Sequence, residues 1–320
     1  MNVVIGVDVG GTKIAAHLTD GSEKSIEQAS VPTPSDAHPS AVAGLAEDSP
    51  EYAEALKRGR IATMQAIIGV CRRLAIEARQ QGLTLRGIGV GSAGQIDPLR
   101  GMVVDANPNI IGWRGTRIVD DLTAAFGVLV FVDNDVRTMA LAETAHGAGA
   151  GYDNVLCVTV GTGIGGAMVQ NGKLIHGAHY SAGEIGYMLA YGKPIEEVYG
   201  GPAIARRYAE EQHMRERLTL VEITKRALKG DTTARQAIES AAYGLGQHLA
   251  PVLAFLDPDA MIVGGGVATI GEMWWAPFLH AFNEFPLESV RSVPVKPAAL
   301  GSRAGMIGAG VLAARKLGLA

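Results

Sequence analysis

Residues 1–19, MNVVIGVDVGGTKIAAHLT, and residues 155–170, VLCVTVGTGIGGAMVQ, carry one pattern. Each opens on an apolar run of strand length, breaks at a glycine–threonine turn and resumes as a second apolar run. Runs of this length around a glycine turn read as a β-hairpin. Two such openings form an internal repeat, which points to duplicated domains facing a cleft. GTGIGG superficially resembles a dinucleotide fingerprint, but a strand rather than a helix follows it, so that site is not expected. No G-x-x-x-x-G-K-[ST] occurs in the chain.

The rest of the chain is placed around these hairpins. Residues 33–51 are rich in Pro, Ser, Asp and Ala and predict a surface excursion. Residues 52–81 predict a helix, because Ile61, Met64, Ile67, Ile68, Cys71 and Leu74 recur at helical spacing before Gly82. Residues 85–90 predict a strand, followed by Gly91-Ser92-Ala93-Gly94-Gln95-Ile96-Asp97 and a loop at Asn107-Pro108-Asn109. A strand at 128–132 ends in Asp133-Asn134-Asp135, and a helix follows over 136–146. Residues 203–256 read as largely helical, 260–263 as a strand ending in Gly264-Gly265-Gly266, and 302–317 as a helix. The domain boundary is expected near 115. That gives an α/β domain at 1–115, joined by the helix at 303–320, and a second at 116–302.

Composition excludes several classes. The 320 residues suggest about two domains at roughly 150 residues each. Apolar residues at 48% and charged residues at 19% are globular values. A net charge of −4 lacks the basic excess of a nucleic-acid binder. Two cysteines, Cys71 and Cys157, are too few for a disulfide framework and fit a reducing compartment. The opening run has no basic head or cleavage site, and the uncharged stretch 155–172 is broken by glycines and threonines. A cytoplasmic protein without a membrane span is expected. The 42 glycines sit in clusters beside apolar strands, where backbone amides can approach a ligand.

Residue chemistry alone leaves alternatives. Gly10, Gly11 and Thr12 read as an anion-binding turn with Asp8 orienting magnesium through water, or as a plain tight hairpin. Asp135 reads as a helix N-cap, a service Asn134 offers equally, or as a general base for a sugar hydroxyl. Glu184 and Glu196 suit pairs of sugar hydroxyls, or are solvated surface charges. His146, His176 and His179 read as surface or loop histidines in preference to a zinc site.

Taken in order, the segments resemble the ROK family of sugar kinases. They are DVGGTK (8–13), GVGSAGQID (89–97), NPNIIGW (107–113), VDNDVRTMALAE (132–143), the stretch 158–187 ending GEIGY, EEVYGGPAIARR (196–207) and VGGGV (263–267). The resemblance implies a two-domain α/β fold of the actin/hexokinase-like (ribonuclease H-like) ATPase type, with a cleft between duplicated domains. It implies ATP and Mg2+ as cofactors, a small sugar as substrate and a homodimer. By position it implies that Asp8, Gly10, Gly11, Thr12 and Lys13 form a first phosphate loop. Gly161, Thr162, Gly163 and Gly165 match a second one, and Gly264, Gly265 and Gly266 match the adenosine segment. Asn134 and Asp135 match the sugar pair, with Asp135 as base. Asn109, Gly94, Glu184 and Glu196 match further sugar contacts.

One departure stands out. The family pattern GEIGH, followed by a cysteine cluster that binds zinc, is replaced here by Tyr187 and a cysteine-free stretch. The zinc module is expected to be missing, and the sugar site is expected to be built differently around Tyr187. The resulting expectation is a kinase acting on the 6-hydroxyl of glucose or a related hexose, with N-acetylmannosamine or N-acetylglucosamine as the alternative. A sugar-responsive regulator is disfavoured because no helix-turn-helix precedes Asp8. A sugar-binding protein without catalysis is disfavoured by the matching base.

Overall fold

The computed structural model describes residues 1–106, 109–216, 218–284 and 287–319. Asn107 and Pro108 of the expected loop, and Arg217 of the expected helical stretch, lie outside the described residues. The chain forms two compact units.

The first unit comprises Met1–His146, His176–Ser181 and the C-terminal residues from Ser302. Its elements are β1 (Asn2–Val9), β2 (Lys13–Thr19), β3 (Glu27–Pro32), α1 (Pro50–Gln80), β4 (Thr84–Ser92), β5 (Gln95–Asp97), β6 (Met102–Asp105), α2 (Ile118–Phe126), β7 (Leu129–Asn134) and α3 (Asp135–His146). The sheet order is β3-β2-β1-β4-β7. The first three strands are antiparallel, and β1, β4 and β7 run parallel. In register, Asp8 faces Gly91 and Gly91 faces Asp133. The carboxyl ends of three adjacent strands therefore finish in one row, where open α/β sheets place their ligands.

Helix α1 starts where Ser49 accepts from the Tyr52 N–H and Pro50 opens the first turn. Its inward face is Met64, Ile67, Cys71, Leu74 and Ala78. Ile61, expected on that face, is 45% exposed. The C-terminal helix (Ala304–Lys316) lies so close to the sheet that a Cβ at Gly6 would collide with the Met306 carbonyl and the Gly310 backbone.

Two expectations need correction. The boundary near 115 falls inside this unit, because β7 is hydrogen-bonded to β4 and residues 116–146 travel with it. The stretch 33–51 is not wholly a surface excursion. Two short 3-10 turns bury Ala37, whose carbonyl accepts from the Ile111 N–H at 2.9 Å.

The second unit comprises Gly147–Ile175 and Ala182–Gly301. It holds β8 (Asn154–Val160), β9 (Ile164–Gln170), β10 (Lys173–Leu174), β11 (Leu189–Ala190), β12 (Lys193–Pro194), α4 (Ile195–Tyr199), α5 (Gly201–Glu211), α6 (Leu220–Leu228), α7 (Thr232–Leu256), β13 (Ala260–Gly264), α8 (Glu272–Glu284) and β14 (Val295–Pro297). Its sheet order is β10-β9-β8-β13-β14, again three antiparallel strands and then parallel neighbours. The two sheets share one topology, so the repeat read from the glycine hairpins is a repeat of the fold. Leu156, Val158 and Val160 meet Leu245, Leu249 and Phe278 in the core, and Trp274 stacks on Phe278 at 4.5 Å between centroids. No helix among the described residues is long and apolar enough to cross a membrane.

Candidate functional site

In the first unit, the turn after β1 closes with the Gly10 N–H donating to the Lys13 carbonyl at 3.1 Å. Thr33 Oγ1 holds the Gly10 carbonyl at 2.6 Å. Gly11 lies against Asn109, where a Cβ would come within 3.1 Å of the Asn109 Cβ. Asp8 ends the strand with its carboxylate against Gly305, so closely that a side chain at 305 would strike it. Burial pushes the Asp8 carboxyl up to about 6, with Lys13 pulling the other way. A desolvated carboxylate is a hard oxygen donor that gains from a nearby cation, and magnesium needs only one or two such groups beside phosphate oxygens. Asp8 therefore fits the magnesium expectation in donor type and surroundings.

At the end of β7, Asn134 does the capping. Its Oδ1 accepts from the Val136 N–H at 2.9 Å and the Arg137 N–H at 3.2 Å. Its Nδ2 donates to the Gly94 carbonyl at 2.9 Å. Gly94 sits at φ +100°, a conformation that favours glycine. Asp135 is thus the first residue of α3 and not its cap. Its Oδ1 accepts from the Val136 N–H at 2.9 Å, and its carbonyl accepts from Thr138 Oγ1 at 2.9 Å.

Beneath this pair lies a network that sequence reading missed. The Asp133 and Arg137 side chains are each 2% exposed, with Asp133 Oδ1 and Arg137 Nη1 3.4 Å apart. Asp133 Oδ2 accepts from His176 Nε2 at 2.6 Å, and Asp133 Oδ1 accepts from the Asn134 N–H at 2.9 Å. Arg137 Nη2 donates to the Tyr180 carbonyl at 2.5 Å. Gln95 Nε2 donates to the His179 carbonyl at 3.1 Å and to Ser181 Oγ at 2.9 Å. The available signal was the Asp–Arg spacing of four residues at a helix start.

The three histidines do not meet. His146 lies beside Glu23 at 3.8 Å, and among the described residues no group of three or more His, Cys, Asp or Glu side chains converges. His176 lies in a loop, as expected, but its Nε2 is held by the buried Asp133 carboxylate, a contact the sequence reading did not anticipate.

In the second unit, the Gly161 N–H donates to the Gly163 carbonyl at 2.9 Å, and the Gly201 N–H holds the Gly161 carbonyl at 2.8 Å. Thr162 is the exposed tip of this turn. Gly165 pairs with Thr159 across the hairpin. Glu196 is not a loose surface charge, since its Oε2 accepts from the Ile164 N–H at 3.3 Å. Its carboxylate lies against Gly163, where a Cβ would come within 2.7 Å of it. Gly264 ends β13, Gly265 at φ +91° lies against the Val160 carbonyl, and Gly266 accepts from Thr269 Oγ1 at 2.7 Å. Glu184 is half-buried before a short 3-10 turn and, with Gly183, rims an apolar pocket of about 410 Å³ beside Leu156, Met168 and Phe255. That pocket does not include Glu196 or the glycine turns.

The stretch after Tyr187, where the family pattern has its cysteine cluster, is a hairpin of β11 and β12. Tyr191 and Gly192 turn it at φ +53° and +75°, the geometry of a two-residue hairpin turn. The Tyr191 ring stands edge-on to His248 at 6.2 Å, and the Tyr199 hydroxyl lies 3.3 Å from His248 Nδ1. Aromatic packing thus orders the segment that leads into Glu196. Tyr187 is 70% exposed.

The model of the ROK family matches residues 40–316. A glucokinase of Halalkalibacterium halodurans is 30% identical over 96% of this chain and 94% of its own. Among solved structures, the ROK hexokinase from Thermus thermophilus superposes with a TM-score of 0.78 at 29% identity, covering 99% of each chain. The ROK-family glucokinase from Streptomyces griseus, solved with glucose and AMPPNP, superposes at 0.75 and 28% identity, covering 98% of this chain and 99% of its own.

Proposed function

The chain belongs to the ROK family and is a sugar kinase, and we propose that it transfers the γ-phosphate of ATP to the 6-hydroxyl of glucose or a related hexose. The observation that carries this reading is the placing of Asn134 and Asp135. Asn134 is the last residue of β7 and Asp135 the next, at the end of the row that joins Asp8, Gly91 and Asp133.

In this reading Asp135 accepts the proton of the attacking hydroxyl. The Val136 N–H orients its carboxylate, and Asn134, itself fixed by Gly94, contacts the neighbouring hydroxyl. Asn109, Glu184 and Glu196 bind other hydroxyls. The 10–13 turn and the 161–163 turn contribute amides to phosphate, and 264–266 forms a wall for the nucleoside. Asp8 would hold magnesium, which when bound would neutralise charge on the phosphates. Phosphoryl transfer needs chiefly positioning and charge stabilisation, and these groups supply both. A glucokinase relative aligned over nearly the full length supports an unsubstituted hexose as substrate.

The test is ADP release from purified protein with Mg-ATP against glucose, mannose, fructose, allose, N-acetylglucosamine and N-acetylmannosamine, with polyphosphate as a parallel donor. Turnover on an unsubstituted hexose supports the reading. Preference for an N-acetylated sugar replaces the substrate, and silence on every sugar with both donors rejects it.

A further inference from the structure

A buried ion pair is poor evidence of stability, because removing two charges from water costs several kcal/mol per ion before their attraction is counted. Asp133 and Arg137 are both enclosed, and each makes further hydrogen bonds to specific neighbours. Asp133 holds the Asn134 N–H on one oxygen and His176 Nε2 on the other. Arg137 holds the Tyr180 carbonyl, and Tyr180 sits at φ +56°, an uncommon conformation for a residue with a side chain. The network therefore fixes two pieces of chain at once. One is the turn bearing Asn134 and Asp135. The other is His176–Ser181, which runs directly into Gly183 and Glu184. A 2% exposed Asp133 carboxylate cannot itself meet a sugar.

We propose that Asp133, bridged to Arg137 and His176, is the positioning residue of the sugar site, setting Asn134 and Asp135 on one side and the His176–Ser181 segment on the other. This rests on the reading of Asp135 as the base. The carboxylate selects the His176 tautomer that carries its proton on Nε2, so the contact is directional. A misplacement of about 1 Å at a reacting group costs on the order of 100-fold in rate. Loss of the bridge is expected to act at that scale.

The experiment compares Asp133→Asn, His176→Leu and His176→Gln with the parent and with Asp135→Asn. It measures kcat, KM for the preferred sugar, KM for ATP and the melting temperature. Gln retains a donor near the place of His Nε2, and Leu does not. The expected result is that Asp133→Asn and His176→Leu lower kcat/KM for sugar by about 100-fold and leave KM for ATP within about twofold, and that His176→Gln recovers most of the loss. His176 is 29% exposed, so its variants remain informative if Asp133→Asn fails to fold. Parent-like kinetics in folded variants, or loss of melting temperature alone with kcat and KM retained, overturns the proposal. Equal losses in His176→Leu and His176→Gln also overturn it. If Asp135→Asn keeps full turnover, the base assignment fails instead, and the two failures are distinct.

Discussion

Asn134 ties Gly94 to the start of α3: its Nδ2 donates to the Gly94 carbonyl at 2.9 Å while its Oδ1 caps the helix that begins at Asp135. One side chain thus joins the turn after β4 to the residue proposed as base. Asn134→Ala removes all three of its side-chain hydrogen bonds, to Gly94, Val136 and Arg137. It is expected to cost about 1–2 kcal/mol of stability through the lost cap, and to raise KM for sugar more than KM for ATP. Denaturant unfolding and steady-state kinetics on the same preparation measure the two effects.

Asp8 gives a pH-dependent signature. Its folded-state value near 6 lies above the usual 3.8. The folded state therefore holds the proton more tightly, and the associated stability is complete below about 3.8 and lost as pH rises through about 6. Asp8→Asn removes that loss. Without ligand, the variant is expected to be more stable than the parent above pH 6 by about 1–3 kcal/mol, with the gap closing towards pH 4. Its Mg-ATP-dependent turnover is expected to fall sharply. Thermal melts across pH 4–8 read the first effect.

His17 has the opposite sign. Burial holds it down at about 4 from 6.5, and its Nδ1 lies 3.0 Å from Ser25 Oγ. A depressed value means that the stability is present above 6.5 and lost as pH falls through about 4. His17→Asn is expected to flatten the acid limb of the stability profile between those values. An unchanged slope between pH 4 and 6.5 in urea titrations contradicts the burial argument.

Gly6 tests the close approach of the C-terminal helix. A Cβ at residue 6 meets backbone on that helix, which cannot move aside as a side chain can. Gly6→Ala is expected to destabilise by about 1–3 kcal/mol, with a lower denaturant midpoint and an unchanged slope. Gly69→Ala, at an open site on α1, is the control and is expected to be neutral or slightly stabilising.

What the sequence disclosed was local. The glycine hairpins at 10–13 and 161–163, the body of helix α1 and the Gly264 strand end all follow from short-range chemistry, and each stands where it was expected, although α1 begins at Pro50 with a Ser49 cap that was not read. What escaped was long-range. The boundary near 115 failed because only the pairing of β7 with β4, across about 40 residues, assigns residues 116–146 to the first unit. Asp133 was passed over beside two neighbours of plainer chemistry, and its partner His176 lies 43 residues away. The Asn134 cap was an open alternative that backbone geometry decided. The hairpin at 189–194 depends on Tyr191 at positive φ, and on a His248 that no local pattern connects to it.

Removal of the sugar hydroxyl's proton by Asp135 is the step on which the proposed kinase chemistry stands. The most direct measurement is the turnover of Asp135→Asn on the sugar that the parent phosphorylates best, with melting temperature and sugar affinity recorded alongside. With Asp135 as the base, kcat falls by about 100- to 10,000-fold while the protein stays folded and still binds sugar. Near-parent kcat in a folded Asp135→Asn variant contradicts it.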